Sequence, residues 1–177
     1  MKKDIFDKMQ ERLIAQRNAD DLVKCTADPF YFLEQHGTVQ HPTRGVIPFT
    51  MYDHQKSLIQ SYMDNRFNIV HSARQVGTTT TNALYAMARA FLTPFMTVVI
   101  VSDRLRDSRE ILCRTKFAHE NLPEWLRDGN HLVVNNKNSL ELGNDSGIFT
   151  SAATGDVTRG ISVDLVILDN SAFVKPS

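Results

Sequence analysis

The sequence predicts an α/β fold, in which a mainly parallel sheet carries helices on its faces. Three short apolar runs, Phe67–His71, Thr97–Val101 and Val163–Asn170, have the composition of strands. Between them lie segments whose apolar residues recur at helical spacing. Strands that alternate with helices favour parallel pairing through right-handed crossovers. The 177 residues suit one ordinary domain, and no repeat or low-complexity linker divides them.

The first part of the chain predicts two helices followed by a loop. Apolar residues at helical spacing predict a short amphipathic helix over Ile5–Ala15. Asp28 in the N-cap position, with Pro29 as the first helical residue, predicts that a second short helix begins there. Two prolines and two glycines in Gly37–Pro48 predict a loop or an irregular extended segment.

The middle of the chain predicts a helix, a strand, a second helix and a second strand. Tyr52–Met63 has the helical period, and the strand Phe67–His71 follows it. A helix over Thr79–Phe91 is closed by Pro94, which cannot continue it. The run Thr97–Val101 is rich in β-branched residues and predicts the next strand.

The last third predicts helices, short antiparallel strands and a final apolar strand. Asp103 is expected to cap a charged helix that reaches about Glu120, and Pro123 starts another turn. His131–Ser151 alternates apolar and polar residues around Asn-rich and Gly-rich turns, which predicts two or three antiparallel strands. The apolar run Val163–Asn170 predicts a strand that ends at acidic and polar residues.

The charge balance and the apolar tracts exclude several classes of protein. Twenty Lys and Arg residues match twenty Asp and Glu residues, which argues against a polybasic nucleic-acid arm. The longest apolar tract, Leu84–Val101, is interrupted by Arg89 and Pro94, whereas about 20 uninterrupted apolar residues cross a bilayer. No apolar core follows the basic start of the chain, so no signal peptide is expected. These features predict a soluble intracellular protein that does not contact a membrane.

The spacing of cysteines and histidines does not predict a metal site. Cys25 and Cys113 have no CxxC spacing and no nearby cluster of His or Cys, which favours reduced thiols. His36 and His41 lie across the Pro- and Gly-rich segment without a set of Cys or carboxylate partners. Solvated loop histidines are therefore the expectation.

The segment Ser72–Thr79 lies between a predicted strand and a predicted helix, which is the context of a phosphate-binding loop. The first N–H groups of a helix are unpaired, and the helix dipole is positive there. A complete P-loop reads GxxxxGK[ST], with a lysine for the outer phosphates and a hydroxyl for magnesium. Here Ser72 stands at the first glycine position, Gly77 at the second, Thr78 at the lysine and Thr79 at the metal-binding hydroxyl.

A second motif strengthens this interpretation. The apolar residues Leu165–Leu168 end in Asp169, the pattern of a Walker B strand, whose carboxylate holds magnesium through the water shell of the ion. Ligands of open α/β sheets collect at the carboxyl ends of the strands. Either motif alone is also typical of a core strand that ends in a polar residue, and a plain α/β binding domain with accidental motifs stays an alternative. Together, in this order, the two motifs favour a nucleotide site.

Four stretches also carry a family pattern. They are Ile47-Pro48-Phe49 with Tyr52-Asp53-His54-Gln55; Ser72-Ala73-Arg74-Gln75-Val76-Gly77-Thr78-Thr79; Arg159-Gly160; and Leu165 through Val174. From roughly Asp28 to the C-terminus, the chain resembles the large terminase subunits of tailed bacteriophages. These are the ATP-driven motors that pack viral DNA into preformed heads. The Arg-Gln-x-Gly core of the loop is the most distinctive element of the resemblance.

The resemblance implies a P-loop NTPase-type fold that binds ATP and Mg²⁺, with specific roles for individual residues. Gln55 would contact the adenine, Arg74 would lie beside the γ-phosphate as a cis-acting arginine, and Thr79 and Asp169 would hold Mg²⁺. Arg159-Gly160 is either a simple turn or a mobile loop near the nucleotide. The implied partners are double-stranded DNA, the portal protein and the small terminase subunit, with a possible homo-oligomer on the portal. The implied location is the host cytoplasm during virus assembly and not the mature virion.

Three positions depart from the family pattern. Thr78 replaces the P-loop lysine, and His71 occupies the loop-start position where many terminases carry a compensating lysine. Histidine is mostly neutral at pH 7, so Arg74 is the permanent cation of the loop. Asn170 replaces the glutamate that activates the attacking water, and loss of a positioned base typically costs about 10² to 10⁴ in rate. The alternative function is therefore a catalytically degenerate or truncated terminase fragment that binds nucleotide weakly or acts only through partners.

The resemblance also predicts a gap in the sheet. In the family, a Ser/Thr-rich coupling strand follows Walker B and lies between the Walker A and Walker B strands, and a nuclease domain comes later. On this pattern residues 1–48 form an N-terminal helical or irregular segment. Residues 49–177 form a P-loop ATPase core that is C-terminally incomplete, and the nuclease domain is absent. Unpaired central backbone is costly, so either another segment fills the gap or the chain is part of a longer product.

Overall fold

The computed structural model of the chain describes residues 2–153 and 162–169. In chain order, these residues form six helices and seven strands. They are α1 (Lys2–Ala27), α2 (Pro29–His36), β1 (Thr38–His41), β2 (Gly45–Pro48), α3 (Asp53–Asp64), α4 (Thr78–Leu92), β3 (Thr97–Ser102), α5 (Leu105–Glu120), α6 (Glu124–Gly129), β4 (Leu132–Asn135), β5 (Ser139–Leu142), β6 (Gly147–Ala152) and β7 (Leu165–Asp169).

The larger sheet has five strands in the order β4-β5-β6-β3-β7, and its pairing is mixed. The central strand β3 runs parallel to both β6 and β7. The strands β4, β5 and β6 form an antiparallel meander, as the alternation over His131–Ser151 predicts. The sheet is thus not mainly parallel, because short turns connect β4 to β6 and such turns allow only antiparallel pairing. The α/β class with flanking helices is confirmed.

The helix α4 lies at the centre of the hydrophobic core. Ten of its residues, from Thr81 to Phe91, are buried. Phe91 stacks on Phe32 of α2 with ring centroids 5.6 Å apart, and Tyr85 packs on Tyr62 of α3 at 5.2 Å. Contacts of this kind on several sides hold the helix in one position. The start of α4, where the candidate site lies, is therefore anchored by the core.

Several elements begin and end close to their predicted positions. The helix predicted over Tyr52–Met63 is α3, and the strands predicted around Thr97–Val101 and Val163–Asn170 are β3 and β7. Asp28 is the N-cap of α2 and accepts a hydrogen bond from the Phe30 amide at 2.8 Å, as predicted. The first helix is longer than predicted, since α1 continues to Ala27.

Two local predictions at the ends of elements are wrong. Gly37–Pro48 is not an irregular loop but contains the antiparallel hairpin of β1 and β2. The prolines do not prevent the pairing, because Pro42 lies in the turn and Pro48 is the last residue of β2. Asp103 does not cap α5, which begins at Leu105 after Arg104.

The predicted strand Phe67–His71 is absent, and this is the main difference from the predicted sheet. The segment pairs with neither sheet, and Phe67 and Ile69 are 83% and 101% exposed. Among the described residues β7 pairs only with β3, so its other side is an edge. Val166 and Leu168 lie on one face of β7 and are 45% and 59% exposed. The gap in the sheet that the family pattern implies stays a prediction.

The described helices include none that combines the length and apolar character needed to span a membrane.

Cys25, Phe32 and Leu33 from the N-terminal helices belong to the same hydrophobic cluster as α4. The division of the chain at residue 48 stays a prediction.

Candidate functional site

The loop before α4 makes a sharp turn that ends at the first residue of the helix. Gly77 adopts the left-handed conformation with φ 86°, and Gln75 also has a positive φ of 65°. The Gly77 carbonyl accepts hydrogen bonds from the Thr81 amide at 2.9 Å and the Thr81 hydroxyl at 3.1 Å. Anion-binding backbone concavities are built from residues that alternate between right-handed and left-handed conformations, and Gln75 and Gly77 supply two left-handed positions in this loop.

The helix α3 contacts the loop before α4 through His54 and Gln55. His54 Nε2 donates to the Val76 carbonyl at 2.9 Å. Gln55 is 4% exposed, and its Oε1 accepts the Tyr52 amide at 3.0 Å. Its Nε2 would lie 2.6 Å from a Cβ added to Gly77, so only glycine fits without displacing Gln55. Gln55 therefore supports the loop directly, and its contact with adenine stays a prediction.

Thr79 and Asp169, the two predicted metal-binding residues, lie next to each other. The Thr79 hydroxyl donates to Asp169 at 3.3 Å to Oδ1 and 3.4 Å to Oδ2. Ninety residues separate the two in the chain. They meet because α4 begins near the carboxyl end of β7, where Asp169 is the last residue. The predicted magnesium ligands are thus brought together.

The Asp169 carboxylate is buried among polar side chains. Asn82 Nδ2 donates to Asp169 Oδ1 at 3.5 Å, and the Tyr62 hydroxyl donates to Asn82 Oδ1 at 2.8 Å. Burial raises the pKa of Asp169, while hydrogen bonds from Thr79 and Asn82 act in the opposite direction. Burial also raises the pKa of Tyr62 to about 12. A carboxylate that is costly to ionise in the protein alone gains from a bound cation.

Tyr62 and Asn82 were not predicted from the sequence. Asn82 lies three residues after Thr79 on α4, so the helical period places both on one face. That spacing could have identified Asn82 once Thr79 was suspected. Tyr62 belongs to α3, and only the packing of α3 on α4 brings its hydroxyl to Asn82. No local pattern signals such a contact.

The remaining loop residues are more exposed. Arg74 and His71 are solvent-exposed, and within residues 2–153 and 162–169 no carboxylate forms an ion pair with the Arg74 guanidinium. Ser72 Oγ and Thr78 Oγ1 share a hydrogen bond at 2.9 Å. The loop therefore presents a charged group and two hydroxyls to solvent at the start of α4.

Three predicted positions lie outside the described residues: Asn170, Arg159 and Gly160. The catalytic roles of Arg74 and Asn170 stay predictions. A cleft of about 420 Å³ lies nearby between β1, α4 and α5. Thr80 lines this cleft, but the loop Ser72–Thr79 does not.

Comparison of the sequence with models of known protein families finds no match. Function is therefore inferred from the loop before α4 and from the pair formed by Thr79 and Asp169.

Proposed function

We propose that the protein binds ATP with Mg²⁺ at the loop Ser72–Thr79, and that it is the nucleotide-binding part of a phage DNA-packaging motor. The observation that carries the proposal is the 3.3 Å contact between the Thr79 hydroxyl and the Asp169 carboxylate at the start of α4. A hydroxyl after a phosphate-binding turn and a carboxylate at a strand end are the magnesium-binding groups of P-loop NTPases.

The separation of these groups suits a magnesium ion. Magnesium binds oxygen at about 2.0–2.1 Å in octahedral geometry, so adjacent ligands lie about 2.9 Å apart. The Thr79 and Asp169 oxygens need to move by only a few tenths of an ångström for both to be direct ligands. If a water molecule lay between the ion and the Asp169 carboxylate, the Thr79 and Asp169 oxygens would have to lie somewhat farther apart than they do. The N–H groups of the first turn of α4 would receive the phosphates.

The test is a calorimetric titration with ATP in Mg²⁺ and again in EDTA. The expected result is magnesium-dependent binding that Thr79→Ala weakens by at least tenfold. Thr80→Ala is the matched control. The Thr80 hydroxyl accepts a hydrogen bond from Arg114 of α5 at 2.8 Å, so it faces α5 and not Asp169. Absence of binding at millimolar ATP would overturn the proposal.

The hydrolytic step is proposed to be slow, because Asn170 cannot accept a proton as a glutamate does. Asn170→Glu is expected to raise the ATPase rate by about 10² to 10⁴, the usual contribution of a positioned base. Fast hydrolysis by the unchanged chain, with no gain in the variant, would contradict the role assigned to this position.

The motor function adds double-stranded DNA, the portal protein and the small terminase subunit as partners, following the family resemblance. We expect these partners to stimulate ATP turnover by the Asn170→Glu protein. The second candidate, a degenerate subunit that acts only through partners, is favoured by the threonine at position 78 and the asparagine at 170. Portal binding without any nucleotide binding would support that second candidate.

A further inference from the structure

A second cluster of chemically reactive side chains lies where α1 meets α2, away from the loop before α4. It consists of Asp21 and Cys25 on α1 and His36, the last residue of α2. One ligand atom from each of the three lies within 4.8 Å of the others. Sequence spacing predicts no Cys or carboxylate partner for His36, whereas in the structure Cys25 and Asp21 both lie beside it.

The contacts of this cluster attach α1 to the rest of the domain. Cys25 is the only buried residue of α1 among those whose side chains the structure describes. Asp21 lies four residues before it, on the same helical face. His36 Nε2 donates to Asp21 Oδ2 at 2.9 Å, and the side chains are 11% and 23% exposed. Most other described residues of α1 face solvent, so this small set of contacts anchors a 26-residue helix.

The surroundings fix the orientation of the donor groups. The Tyr31 hydroxyl donates to Asp21 Oδ1 at 2.5 Å, which directs Oδ2 toward His36. The His36 ring packs against Phe32 and nearly perpendicular to Trp125, with ring centroids 5.9 and 6.0 Å away. Carboxylates that bind metals in proteins are themselves hydrogen-bonded, as Asp21 is to Tyr31, and this support fixes the orientation of the donor atoms.

We propose that Asp21, Cys25 and His36 bind a zinc-class divalent cation that fastens α1 to α2. Sulfur, imidazole nitrogen and carboxylate oxygen are the three ligand types of protein zinc sites. Zinc bonds of about 2.0–2.3 Å in tetrahedral geometry place ligand atoms about 3.3–3.6 Å apart. The present spacing of up to 4.8 Å exceeds this value by about 1.2–1.5 Å, a difference that small rotations of the side chains can close. A thiolate, a carboxylate and a neutral imidazole balance the charge of the cation, and water takes the fourth position.

The chemistry of binding involves no oxidation or reduction. The thiol gives up its proton to solvent and forms a bond to the metal, whereas the neutral imidazole keeps its proton on one ring nitrogen and binds the metal through the other. The hydrogen bond between His36 and Asp21 is replaced by two bonds to the same ion. The site is independent of the nucleotide site proposed above, so either can fail while the other holds.

The first test adds Co²⁺ to metal-free, untagged protein, because cobalt reports its ligands through its absorption. The expected result is one Co²⁺ per chain, a thiolate charge-transfer band in the near ultraviolet, visible bands of tetrahedral geometry, and loss of both on adding Zn²⁺. Cys25→Ala abolishes the ultraviolet band. Cys113→Ala is the matched control and leaves it unchanged, because Cys113 is exposed on α5. No ultraviolet band, or a band that follows Cys113, overturns the proposal.

A thermal melt in Zn²⁺ and in EDTA gives a second readout. At a zinc concentration about 100 times the dissociation constant, the midpoint should rise by about 5–10 °C for a chain of this length. Should Cys25→Ala fail to fold, His36→Gln and Asp21→Asn replace it, and both should lose the zinc-dependent shift. An equal zinc-dependent shift of the midpoint in these variants, or no shift in the unchanged protein, overturns the proposal. The cluster would then be a hydrogen-bonded contact between α1 and α2 without a metal.

Discussion

Gly77 shows how a single position serves both the backbone and the packing of the candidate site. Its φ of 86° is a left-handed conformation that side chains with a Cβ adopt at a cost. The Gln55 amide fills the space where that Cβ would lie. The glycine is therefore required twice, once for the turn into α4 and once for the contact with α3.

Gly77→Ala is expected to destabilise the protein by about 2–4 kcal/mol, the sum of a strained left-handed residue and a displaced buried amide. Chemical denaturation measures this change. Gly129→Ala is the matched control, because Gly129 lies in α6 with open space around its Cβ position and an ordinary φ. Alanine there should stabilise by up to about 1 kcal/mol. Equal effects at the two sites would contradict the role of Gly77.

At Asp169 the proposed metal-binding role and the stability of the fold oppose each other. Burial raises its pKa, so ionising it costs more in the folded protein than in the unfolded chain. The folded state therefore binds the proton more tightly, and stability falls as the pH rises from the unfolded pKa near 3.8 through the raised folded value. The cost persists at neutral pH unless a cation offsets it.

Asp169→Asn should thus raise the thermal midpoint in EDTA at pH 7 and have no such effect at a pH below 3.8. The same variant should lose magnesium-dependent ATP binding by at least tenfold. Differential scanning calorimetry across pH measures the first effect, and titration calorimetry the second. A variant that is less stable than the unchanged protein at pH 7 would show that the hydrogen bonds to Thr79 and Asn82 outweigh the cost of burial.

Among the helices and strands, β3 and the segment Phe67–His71 illustrate what pairing adds to composition. Both are apolar and rich in β-branched or aromatic residues. β3 has β6 on one side and β7 on the other, and its residues from Val98 to Ser102 are buried. Phe67–His71 has no strand beside it in either sheet, and its apolar side chains face solvent. Strand propensity is realised only where a neighbouring strand accepts the hydrogen bonds.

The same substitution in the two segments should therefore have different consequences. Ile100→Ala in β3 removes a fully buried side chain and is expected to cost about 2–5 kcal/mol. Ile69→Ala removes a fully exposed side chain and should change the free energy of unfolding by less than about 0.5 kcal/mol. Urea denaturation of both variants makes the comparison. A cost at Ile69 similar to that at Ile100 would mean that the segment is packed in solution.

The molecule as a whole has balanced charge, which bears on the proposed motor function. Equal numbers of acidic and basic residues give a net charge of zero at pH 7. Binding to the phosphate backbone of DNA depends on surplus Lys and Arg that release counterions. The chain therefore lacks the overall charge for tight binding to DNA, and in a motor its partners would contribute that affinity.

On this basis, the protein alone should bind a short duplex weakly at 150 mM salt. We expect a dissociation constant no tighter than about 10⁻⁶ M, in the range of non-specific binding. Fluorescence anisotropy with a labelled duplex, repeated at several salt concentrations, measures both affinity and salt dependence. Nanomolar binding by the isolated chain would contradict this expectation and would indicate a local basic surface.

Local signals in the sequence were sufficient for the elements whose stability depends on nearby residues. The N-cap Asp28, the helical period of α3 and α4, and the apolar runs of β3 and β7 each act within a few residues. The same signals placed Thr79 at a helix start and Asp169 at a strand end, which are the two residues that meet in the candidate site.

Tertiary packing decided the features that depend on partners distant in the chain. It paired β1 with β2 despite Pro42 in the turn and Pro48 at the end of β2, left Phe67–His71 outside the sheet, and brought Asp21 and Cys25 to His36. Tyr62 and Gln55 reached the site only because α3 packs beside α4 and its preceding loop. The physical reason is that propensity is a property of neighbouring residues, whereas strand pairing and side-chain clusters require two segments to meet in space.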